Sequence, residues 1–157
     1  MTKSLTSTKG NALVGILLRV LALAVMAGII LGACSDDDAA TDLEIIGSYD
    51  GNFGGRHEIT QTTWTQDFSA IGFGVFVLTI TSYTNSGDYL VGENEDGTFS
   101  RLDWTTFNSD LYFCTSAFGE ATASDADTAG EGVADKTDPS AGGCGVSAWT
   151  RLDPVVQ

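Results

Sequence analysis

The chain has 157 residues, with seven basic and 21 acidic side chains, a formal charge of −14 and three cysteines. Three of the basic residues and none of the acids lie in Met1–Ala33, so residues 34–157 carry four basic side chains (Arg56, Arg101, Lys136, Arg151) against 21 acidic ones, a formal charge of −17. A surface this acidic repels phosphate backbones and anionic headgroups, which excludes nucleic acid as a partner and a peripheral hold on anionic lipid; the length suits one domain with a modest core.

Residues 1–33 have the build of an export signal. Lys3, Lys9 and Arg19 are followed by the apolar and small-residue run Val20–Leu31. Leu31-Gly32-Ala33-Cys34 resembles the bacterial lipobox, which implies cleavage before Cys34, lipidation of its thiol and anchoring in the membrane through the acyl chains. The competing reading is a retained helix over Leu13–Ala33, nearly long enough to cross a bilayer. Arg19 interrupts that run, and Cys34 followed by Ser35-Asp36-Asp37-Asp38 ends it abruptly. Ser35 after the cysteine resembles the sorting pattern for the outer membrane, and Ser-Asp-Asp-Asp resembles the surface-export tag of Bacteroidetes lipoproteins. Residues 34–42 are expected to be an acidic tether and residues 43–157 a single β domain.

The domain shows strand patterning throughout. Leu43–Tyr49 reads as a first strand ended by Asp50-Gly51-Asn52. Arg56–Gln61 and Thr62–Phe68 read as one long or two short strands, rich in threonine as on a sheet with one wet face. Gly72–Thr84 is apolar on both faces, and Asn85-Ser86-Gly87 is a hairpin signal. Asp88–Gly92 is a short strand and Glu93–Gly97 an acidic turn. Phe99–Phe118 then reads as a hairpin about Asn108-Ser109, with Leu102, Trp104, Leu111 and Phe113 on a buried face and Arg101 and Asp103 on the other. Trp104 is expected in the core with Trp149 packed near it. Ala117–Asp138 breaks the pattern: a short helix near Ala117–Ala126 and an acidic loop are expected, before Val146–Leu152 returns as the last strand. The fold class that follows is mainly β, a small antiparallel barrel or sandwich of about seven strands with one helical and loop excursion.

Cys34 aside, Cys114 and Cys144 remain, and an even pair in an oxidising compartment reads as one disulfide closing that excursion. A metal site lacks support, since the only histidine, His57, stands far from both cysteines in sequence. No nucleophile elbow, phosphate loop or zinc-helix motif occurs, and nothing calls for a cofactor. His57 and Glu58 are adjacent strand residues that face opposite ways, which disfavours them as a catalytic pair. Asp125-Ala126-Asp127 with Gly130 and Glu131 misses the calcium-loop pattern at Ala129 and Lys136. A domain this small needs most of its aromatics inside; Trp64, Trp149 and Tyr112 are the candidates to face a ligand.

Two resemblances extend this reading. Gly47-Ser48-Tyr49 on the first strand, with Trp149 and Arg151 on the last, resembles lipocalin-like barrels, in which a Gly-x-Trp strand and a late basic residue meet across the barrel base; here Tyr stands in place of Trp. Phe99-Ser100-Arg101-Leu102-Asp103-Trp104-Thr105, Leu111-Tyr112-Phe113-Cys114 and Gly142-Gly143-Cys144-Gly145 resemble a group of uncharacterised bacterial lipoproteins, which implies no activity. The expectation is a lipid-anchored, non-enzymatic envelope or surface domain that binds a small molecule, glycan or protein. The alternatives are a carboxylate-dependent hydrolase or glycan-active enzyme, and a passive structural lipoprotein.

Overall fold

The computed structural model describes residues 41–145 and 147–156. Eight strands, β1 (Gly47–Gly51), β2 (Arg56–Ile59), β3 (Thr63–Asp67), β4 (Val75–Thr84), β5 (Tyr89–Asn94), β6 (Phe99–Phe107), β7 (Asp110–Glu120) and β8 (Thr150–Pro154), form a closed barrel in chain order. Every neighbouring pair is antiparallel, and β1 closes on β8 through Gly51 opposite Leu152. Of the two architectures expected, the barrel is the one formed. Arg56–Phe68 makes two strands because Thr60 turns the chain, its Oγ1 accepting from the backbone N–H groups of Thr62 and Thr63. The Asn108-Ser109 turn has positive φ at both residues (52° and 73°), the backbone of a tight two-residue hairpin.

The register assigns the faces. His57, Ile59, Trp64, Leu78, Leu90, Leu102, Trp104, Phe113 and Leu152 point inward and are buried, whereas Asp50, Arg56, Glu58 and Thr65 lie on the outer face. A packed apolar interior behind a charged exterior is the reverse of a membrane-spanning barrel.

Four expected segments differ. The first strand begins at Gly47, because Leu43 and Ile45 fold across one barrel end and bury there. Leu43 N–H donates to Gln61 Oε1 (3.0 Å), Trp104 Nε1 donates to Glu44 Oε1 (2.6 Å), and Tyr49 Oη donates to the Ile45 carbonyl (3.1 Å). Thr41 and Asp42, placed in the expected tether, are bound to the barrel: their carbonyls accept from Tyr83 Oη and Asn85 Nδ2. The expected helix starts six residues late, since β7 runs on to Glu120; helix α1 spans Ala123–Gly130, with Thr122 Oγ1 accepting from Asp125 N–H as its cap. The last strand starts at Thr150 rather than Val146, which lies outside the described residues.

Helix α1 covers the outer face of β5–β7. Arg101 and Asp103 therefore bury on the outside of the barrel, and β6 is buried on both faces from Ser100 to Thr105. Asp103 accepts from Arg101 Nε (3.0 Å), Arg101 Nη2 (3.2 Å) and Ser116 Oγ (2.5 Å), and pairs with Lys136 Nζ (3.2 Å). Arg101 Nη1 reaches Asp127 on α1 (2.9 Å), and its guanidinium lies 3.7 Å over the Tyr89 ring. Gly130 has no side chain where a Cβ would meet Arg101 Cδ at 2.5 Å, so the helix sits directly on the arginine. The disulfide Cys114–Cys144 staples the same excursion to β7, with Trp149 and Tyr112 packed against it.

Candidate ligand-binding cup

The end of the barrel opposite Leu43 and Ile45 is open. There the inward positions of β5 and β6 change character. Toward the closed end they are Leu90, Leu102 and Trp104; toward the open end they are Gly92, Asn94 and Ser100. Asn94 and Ser100 line open space, whereas the space over Gly92 is taken by Leu78 of the neighbouring strand. A Cβ at Gly92 would lie 2.5 Å from Leu78 Cγ, so the glycine is what lets Leu78 of the paired strand lie over β5. The result is a cup of about 460 Å³ lined mainly by apolar surface from Phe76, Leu78, Leu102 and Phe118, with Gln66, Asn94, Ser100 and Thr115 as its polar groups. Asn94 Nδ2 donates to Ser100 Oγ and Thr98 Oγ1 (both 2.9 Å), which holds that polar wall in place. This combination of a largely apolar concavity and a few convergent polar groups is the usual composition of a small-molecule site. A second depression of about 410 Å³ at the other end, beside Glu44 and Ile45, is more open and more polar.

The rim of the cup is hydrophobic. Phe118 is 76% exposed, Phe73 75%, Phe53 59% and Phe76 52%, and all four lie at this end of the barrel. Phe73 stands between Gly72 and Gly74, whose φ values of 91° and 95° form the tip of the β3–β4 connection. Glu95 and Asp96, in the β5–β6 turn, complete the lip. The Thr98 hydroxyl and backbone N–H both donate to Asp96 Oδ1 (2.6 and 3.0 Å) and hold its carboxyl below the usual range, so Asp96 stays ionised.

On the β1–β2 side the interior is filled. His57 has no exposed surface and stacks edge-on against Trp64, Phe68 and Phe113. Trp64 Nε1 donates to His57 Nδ1 (3.2 Å), which leaves the ring proton on Nε2, buried and without a partner among the described residues. Burial lowers the His57 pKa to about 4, against a smaller opposing pull from Asp50. Glu58, its neighbour in sequence, is on the outer face, where Ser48 and Arg56 hold its carboxyl low.

A search against protein families, curated proteins and solved structures matches nothing. The site therefore stands on its own geometry.

The three aromatics chosen as ligand-facing do not meet at this cup. Trp64 is 0% exposed, two residues deeper on β3 than Gln66, and belongs to the core. Trp149 is 4% exposed and lies outside the barrel wall with the disulfide, in a cluster separate from that of Trp104, which faces inward. Tyr112 is half-buried in the same outer cluster. One parity step explains the outer placement of Tyr112 and Trp149: Phe113 faces in, so its neighbours Tyr112 and Cys114 face out, and Trp149 packs on Cys114. The base pairing suggested by the lipocalin-like resemblance fails for the same reason. Tyr49 points inward, while Arg151 is on the outer face beside Asp153 (2.9 Å). Cys34 lies outside the described residues. Among the described residues no group of His, Cys, Asp or Glu is placed to hold a metal ion, the acidic run about Asp125 included.

The cup residues missed in the sequence are Gln66, Asn94, Ser100, Thr115 and Phe118. For the first four the one sequence signal was a polar residue at an inward position of a strand whose other inward positions are large and apolar; Phe118 carried no such signal.

Proposed function

We propose that this chain is a lipid-anchored envelope protein whose barrel binds a small, largely apolar molecule in the open cup, without chemistry on it. The observation that carries the reading is the cup itself: apolar walls, four uncharged polar groups, and exposed phenylalanines at its mouth. The export signal and Cys34 supply the anchoring part of the proposal.

The test fills the cup. Thr115→Phe places a ring among Phe76, Leu102 and Phe118 on a strand that accepts aromatics. With the full chain in nanodiscs, the neutral dye N-phenyl-1-naphthylamine should brighten with wild type beyond empty discs, and this gain should vanish with the variant while the melting temperature holds. Equal brightening by both proteins would refute the cup as the binding site.

A further inference from the structure

The polar wall of the cup holds amides and hydroxyls, and among the described residues its only charged lining groups are Glu95 and Asp96. All four basic residues of the described chain are engaged elsewhere. Arg56 pairs with Glu58 outside the barrel (2.9 Å), Arg101 with Asp103 and Asp127 beneath α1, Lys136 with Asp103, and Arg151 with Asp153. Neutral His57 offers no positive charge either. An anionic ligand would thus shed water at the mouth and meet two carboxylates with no cation to replace it. An ammonium head meets those carboxylates and the exposed aromatic rings of Phe76 and Phe118, a residue type that attracts cations through its ring quadrupole. A cleft of one sign also concentrates the opposite sign from solution, and residues 34–157 carry −17 overall.

We infer that the cup selects a cationic amphiphile: an alkyl or aryl body seated on Leu78 and Leu102, with an amine or quaternary ammonium head at Glu95 and Asp96. This rests on the ligand-cup reading and adds its charge preference. The experiment compares three ligands with one body: phenylbutyl-trimethylammonium, phenylbutanol and phenylbutanoate. Each is titrated calorimetrically into the full chain in nanodiscs of zwitterionic lipid, with empty discs as the blank. The ammonium should bind about fivefold tighter than the alcohol, as expected for one exposed charge contact, with the carboxylate weakest. Glu95→Gln combined with Asp96→Asn should erase the preference, so that ammonium and alcohol bind the variant equally, and an unchanged melting temperature shows that the double variant is folded. If the alcohol binds and the ammonium binds no tighter, or if the double variant keeps the ammonium preference, the charge inference is overturned and the cup stands. If none of the three binds, both fail.

Discussion

His57 is the residue whose chemistry and position conflict most sharply. A group that ionises in mild acid is placed where no water reaches it, with one nitrogen satisfied by Trp64 and the other unpartnered. Its folded pKa of about 4 lies below the unfolded 6.5, so the unfolded chain binds the extra proton in between. The neutral histidine's contribution is complete above about pH 6.5 and is lost as the pH falls toward 4. The gap corresponds to about 3 kcal/mol. Urea unfolding at pH 7 and at pH 4 should show a loss of that order in wild type and a smaller one in His57→Phe, the difference being the histidine's share. Identical losses in the two proteins would mean that His57 does not titrate on unfolding.

At the scale of elements, α1 and its loop are held by two independent devices. One is the disulfide, closing 30 residues of chain. In the chain-entropy model a closed loop of this length contributes about 3–4 kcal/mol. The other is the Arg101–Asp103–Lys136 cluster, in which one buried carboxylate serves two cations and a hydroxyl. Because the second does not depend on the first, Cys114→Ala with Cys144→Ala should lower the unfolding free energy by about 3–4 kcal/mol yet leave α1 docked. Hydrogen exchange decides this: amides of Ala123–Gly130 should keep their protection in the double variant, and full exchange there would show that the charge cluster cannot hold the helix alone. The same cluster explains why β6 is buried on both faces without being apolar on both.

At the scale of the whole molecule, a polar-coated barrel with a hydrophobic mouth is proposed to hang from an acylated Cys34 by a short acidic segment. The chain's acidity disfavours an electrostatic hold on anionic membranes, so the proposed anchoring rests on the Cys34 thiol. Replacing Cys34 with Ser should abolish incorporation of labelled palmitate and block processing of the leader. Undiminished labelling of the serine variant would remove the lipoprotein reading and leave the cup unaffected.

Much of this architecture was legible in one dimension. Alternation placed Leu102, Trp104 and Phe113 inside with Arg101 and Asp103 outside, because a strand's side chains alternate whatever it pairs with. The Asn108-Ser109 turn and the cysteine pairing were equally local or countable. What only the tertiary structure decided depends on which strand stands opposite which. Closure of β1 on β8, the fold of Leu43 and Ile45 across one end, and the burial of Arg101 and Asp103 under α1 all come from distant partners. Trp149 was assigned to the wrong side of the wall because the disulfide brings it to Cys114, which faces outward, and one residue of parity separates that surface from the core. The cup was invisible for a related reason. A cavity is a place where side chains from five strands fall short of one another, and no single strand records how far its neighbours reach.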